Sequence, residues 1–146
     1  MDTGKPSPAE RSAHAGILSF ELSVGKQRMI VNCGASPTDP KWDGALRATA
    51  AHSALVIDDR NAAEIGVNGV PGTRPEHVRA VRSKHDRDML IEVEHDGYLP
   101  THGLKHFRRV HLSYTGDDLR VEDRLLYTGD PGVDKAGQRF GLASVL

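Results

Sequence analysis

From Ile17 onward hydrophobic and polar positions alternate. Leu18, Phe20, Leu22 and Val24 fall on one side, Ser19, Glu21 and Ser23 on the other, and a period of two is that of a half-buried strand. Gly25-Lys26 can turn the chain, and the run from Arg28 to Asn32 then returns as a second strand, which predicts a hairpin. Gly34 to Lys41, with Pro37 and Pro40, reads as a loop. The alanines between Trp42 and Ala51 allow a helical turn or two, without a cap or a periodicity. A third strand is predicted from Ser53 to Ile57, stopped by Asp58-Asp59. The segment after it is broken by Gly66, Gly69, Pro71 and Gly72. Val78 to Ser83 and Met89 to His95 then pair around Lys84-His85-Asp86. Lys105 to Tyr114 and Leu119 to Tyr127 form a last pair across Thr115-Gly116-Asp117-Asp118.

Seven or so short strands with little amphipathic helix predict an all-β fold, an antiparallel β-sandwich. Residues 1–13 read as a lead-in, 14–128 as the sandwich and 129–146 as an irregular tail. That tail holds Phe140 and Leu142 but no closing strand pattern, so the sandwich is expected to be incomplete at its C-terminal end. An unsealed sheet edge is a pairing site, which makes a homo-oligomer an expected assembly.

Composition narrows the class. A length of 146 residues suits one domain. A formal net charge of −1 offers no whole-molecule attraction to nucleic acid, and no apolar run approaches the ~20 residues that membrane insertion needs. Mean hydropathy of −0.46 fits a soluble domain. The first residues lack an apolar stretch, so no secretory signal is read and the chain as it stands is expected in the cytoplasm. One cysteine, Cys33, excludes an internal disulfide.

Eight histidines direct attention to metal and acid–base chemistry. A glycine-rich phosphate loop, a Cys-x-x-Cys pair and a Gly-x-Ser-x-Gly elbow are all missing from the sequence. His14 precedes the first strand, Asn32-Cys33 ends the second and His52 precedes the third. If those ends meet, two imidazoles and a thiolate could hold zinc; otherwise they are strand-end residues bonded to backbone or water. His95 beside Glu94 and Asp96, with Tyr98, could move protons, or could simply end a strand in an Asp-Gly turn. His106 and Arg108 share a face with Leu104, Val110 and Leu112, while Phe107, Arg109 and His111 take the other. A solvated basic face is the plain account, and a face that grips an anionic sugar or phosphate partner is the sharper one.

The stretches His14–Ser23, Arg28–Gly34 and Arg47–Ser53, followed by Glu94–Tyr98 and Gly103–Arg108, resemble the heparinase II/III-like polysaccharide lyases in order and spacing over roughly residues 3 to 127. Such lyases join an N-terminal α/α toroid to C-terminal antiparallel β-sheets and cleave uronic-acid-containing polysaccharides by β-elimination. The resemblance implies one structural zinc, whose family ligands fall on His14, Asn32 and His52, with Cys33 as a substitute for the Asn. It places Ser12 where the family has a catalytic His. It further implies that a toroid Tyr, with His and Asn, serves most of the catalytic roles, and that the toroid is missing from this chain or supplied by another. A separate reading from the residues alone is a stand-alone β-elimination enzyme, with His95 and Tyr98 as acid–base candidates lining one pocket with Arg47 or Arg108 toward the acidic polysaccharide. The expectation is a β-sheet portion inactive alone, its parent placed in the periplasm. The alternative is a non-catalytic carbohydrate-binding or assembly module, which would display Trp42, Tyr98, Tyr114 or Tyr127 side by side.

Overall fold

The computed structural model describes residues 1–4, 7, 13–36, 38–66, 70 and 72–129. Ser12 and the tail from residue 130 onward lie outside them. The chain divides into two compact units, Met1–Glu76 and His77–Leu146. Strands are antiparallel throughout, in two open sheets, so the architecture is all-β and of the incomplete-sandwich class. No described helix is long and apolar enough to cross a membrane.

In the first unit β1 (Leu22–Val24) and β2 (Gln27–Ile30) form the expected hairpin, turned at Gly25 with φ of 60°. Upstream, Ile17 and Leu18 are buried but not in a strand. Leu18 takes the left-handed φ of 62°, and the backbone there is satisfied bond by bond: Leu18 N–H donates to Asp2 O and Ser19 N–H to Gly16 O. Helix α1 (Pro40–Arg47) begins two residues before the Trp42 at which the sequence suggests it. Asp39 caps it by accepting from Lys41 N–H at 3.0 Å, and Pro40 occupies the first turn, where its missing N–H costs nothing. A 3₁₀ turn, Thr49–Ala51, follows.

The predicted strand Ser53–Ile57 does not form. Ser53 N–H and Oγ bond to the Asn32 side chain, and Oγ also bonds Phe20 O, so its polar groups serve the hairpin rather than a ladder. What remains is an isolated bridge between Ile57 and Arg60 across the left-handed Asp58 and Asp59.

The second unit is a four-stranded meander in the order β3 (Val78–His85), β4 (Asp88–His95), β5 (Leu104–Leu112), β6 (Leu119–Tyr127). Asp86 and Arg87, both at positive φ, make the tight two-residue turn between β3 and β4. A one-turn helix, α2 (Leu99–His102), links β4 to β5 and ends at Gly103, whose φ is 65°. Along β5 burial alternates, with Leu104, His106, Arg108 and Val110 inward. The predicted face is therefore right, but its predicted solvation is not: His106 is 1% and Arg108 4% exposed.

Candidate functional site

The inward face of β4, β5 and β6 carries a polar cluster. Register sets His95 opposite His106 and Arg108 opposite Asp123. Gly97 N–H donates to His95 Nδ1 at 3.0 Å, His95 Nε2 meets His106 Nδ1 at 3.1 Å, and His106 Nε2 meets Asp123 Oδ1 at 2.7 Å. Arg108 closes the chain, giving Nε to Oδ1 at 2.7 Å and Nη2 to Oδ2 at 2.8 Å.

One backbone N–H fixes the protons of the whole series. Because His95 Nδ1 accepts from Gly97, the proton of a neutral His95 is on Nε2 and points to His106 Nδ1. His106 then carries its own proton on Nε2, facing the carboxylate. Burial first, then the neighbouring His106 and the Arg108 charge, lower the His95 pKa to about 3, which agrees with a neutral ring. Burial alone would raise the Asp123 pKa; the hydrogen bonds from His106 and Arg108 and the Arg108 charge outweigh it and hold the carboxyl at about 2. Tyr98, fully buried, tilts against His95 with ring centroids 5.8 Å apart. His95 and Tyr98 are thus neighbours as expected, but enclosed. The His95 ring nitrogens are both engaged, and Arg108 is closed on Asp123 rather than directed at solvent.

In the first unit His14 and His52 also converge, Nδ1 to Nε2 at 3.0 Å. Ala48 O accepts from His52 Nδ1 at 2.7 Å, which leaves Nε2 as the acceptor in a neutral pair. The segment Arg47–Ser53 works as a clamp on residues 13–20. Arg47 Nη2 donates to Ala13 O, Arg47 O accepts from Ala15 N–H, Thr49 Oγ1 donates to Ala15 O, and Ser53 Oγ accepts from Phe20 N–H. Gly16 allows the close approach, since a Cβ there would lie 2.5 Å from the His52 ring. Arg47, 6% exposed and also paired with Asp43 at 3.1 Å, holds the chain together at the position where substrate binding was expected.

The expected zinc on His14, Cys33 and His52 is overturned. Among the described residues no group of three or more His, Cys, Asp or Glu is placed to hold a metal. Cys33 is exposed, Asn32 Oδ1 is occupied by Ser53, and the one lone pair left on His52 faces His14. The three tyrosines expected in a sugar platform do not lie side by side. Tyr98 is buried, and Tyr127 and Tyr114 lie at opposite ends of β5 and β6, roughly 30 Å apart along the strands.

On the outward face, Leu90, Arg109, His111, Arg120 and Glu122 line a shallow groove of about 400 Å³. Its basic side chains are matched: Arg109 to Glu92 at 2.7 Å, His111 to Asp88 at 2.9 Å, Arg120 to Asp118 at 2.7 Å. Asp88, Glu92 and Asp123 were not singled out from sequence. The signal was available for Asp123, because strand parity puts it on the face of His106 and Arg108.

Residues 1–141 match the family model described as heparinase II/III-like, C-terminal. The chain belongs to this family. The resemblance first read from the His14–Ser53 and Glu94–Arg108 stretches is therefore borne out. A curated relative, FtsZ-localized protein C of Caulobacter vibrioides, is 31% identical over 135 residues, which is 85% of this heparinase-like chain and 23% of the relative. The chain thus spans about a quarter of that relative's length. No solved structure matches.

Proposed function

We propose that this chain is the β-sheet portion of a heparinase II/III-like lyase acting on uronic-acid-containing polysaccharide, and that it serves as scaffold rather than as source of the acid and base. β-Elimination needs a cation against the uronate carboxylate, a base for the C5 proton and an acid for the departing O4. The observation carrying the scaffold reading is the closed series from Gly97 N–H through His95 and His106 to Asp123 and Arg108. A base whose lone pair already accepts a backbone N–H, and a cation already closed on a buried carboxylate, have nothing to offer a polymer. Those groups must then come from the toroid. The test is formation of the unsaturated uronate, followed by its ultraviolet absorbance, when the chain is mixed with a panel of acidic polysaccharides. The reading expects none from this chain alone, and steady product formation lost in Tyr98→Phe would overturn it.

A second reading rests on the relative's name. A module 31% identical to part of a protein described as FtsZ-localized could serve assembly rather than catalysis. Co-sedimentation with FtsZ polymers tests it: enrichment in the pellet is expected, and recovery wholly in the supernatant would exclude it.

A further inference from the structure

The meander of the second unit has two edges of opposite character. β6 is chemically self-sufficient: Asp123 is held by Arg108, and Arg124 pairs with Glu122 at 2.7 Å. β3 is not. Its eight residues, Val78 to His85, include Arg79, Arg82 and Lys84 and no carboxylate, and seven of the eight are exposed. None of these three cations has an ion-pair partner among the described residues. β3 has one hydrogen-bonded neighbour, β4, so about half of its backbone N–H and C=O groups point away from the sheet.

Side chains alternate along this edge. Arg79 and Val81 face one way, and Arg82 and Lys84 share the opposite face. Arg79 and Val81 help line a depression of about 100 Å³, together with Glu92, Val93, Glu94 and Phe107. A long, unbulged, proline-free edge with a side-chain depression next to it has the parts that strand addition uses: backbone groups for affinity, a depression for specificity.

We propose that the edge of β3 takes up an extended, acid-rich segment of a partner protein as an added strand. Charge chooses the occupant. A second copy would set three cations against three cations with no carboxylate between them, and like charges across a ladder destabilise it. An acidic strand instead repeats what β4 already does on the other side, where Glu94 stands opposite Arg79.

The probe is a labelled peptide alternating glutamate and valine, titrated against the full chain and followed by fluorescence anisotropy and by amide hydrogen exchange. Saturable binding with new protection at alternate amides of β3 is expected. An Arg82→Glu/Lys84→Glu variant, altered only at exposed positions, should bind at least roughly tenfold more weakly. A version of the peptide with proline at alternate positions should bind weakly as well, because it cannot donate to a ladder. No binding, binding without protection of β3, or binding indifferent to the charge reversal would each overturn the proposal. So would protection of β3 that grows with protein concentration alone, which would assign the edge to a second copy.

Discussion

Asp123 accepts three hydrogen bonds, from His106 Nε2 and Arg108 Nε on Oδ1 and from Arg108 Nη2 on Oδ2, with 8% of its side chain exposed. Replacing it by Asn leaves the Arg108 guanidinium buried beside a neutral group, which costs on the order of 3–5 kcal/mol. Urea unfolding of Asp123→Asn should register that loss, whereas Arg108→Leu/Asp123→Leu should recover much of it. A loss below about 1 kcal/mol would mean that water reaches the pair. The same cluster sets a pH dependence. An ordinary imidazole titrates near 6.5, but folded His95 does so at about 3. Between those values the unfolded chain binds the extra proton, so stability falls as pH drops below about 6.5, by roughly 1.4 kcal/mol per unit for one proton. Asp123 adds a further loss between 3.8 and about 2. Urea midpoints measured from neutral to acidic pH check this, and His95→Gln should flatten the upper part of the slope.

At the scale of elements, the motif Arg47-x-Thr49…His52-Ser53 is a clamp, and Thr49 is its centre. Its hydroxyl donates to Ala15 O and accepts from Ala62 N–H, and the residue is fully buried. Thr49→Val removes both bonds and should cost about 2 kcal/mol in denaturant unfolding. Gly16→Ala, whose Cβ would strike the His52 ring, should lower the thermal midpoint while Gly25→Ala, with open space but a positive φ, lowers it less. Gly16→Ala proving neutral would show that the clamp yields. The hairpins were legible because alternation and turn residues lie close together in sequence. The strand at Ser53–Ile57 was misread for the opposite reason: its composition suits a strand, but a strand needs a neighbour, and Asn32 and Phe20 bond Ser53 instead. The cap at Asp39-Pro40 is present in the sequence, but prolines punctuate loops and helix starts alike, so the residues alone do not separate the two.

For the molecule as a whole, membership of the heparinase-like family was legible from the order and spacing of several short motifs, while the work of the motif residues was not. Sequence spacing brought His14 to His52 and His95 to Tyr98, and the structure brings both pairs together. Whether such a pair faces a substrate or a neighbour depends on burial and on donors such as Gly97 N–H, which have no sequence signature. The central claim is that His95 is a neutral strut and not a base. Nitrogen-15 NMR of the imidazoles tests it most directly, following His95 between about pH 5 and 8. The account predicts an unprotonated Nδ1, a protonated Nε2 and shifts that do not move across that range. A His95 that titrates near 6.5, or that carries its proton on Nδ1, would contradict it and return the residue to the acid–base candidates.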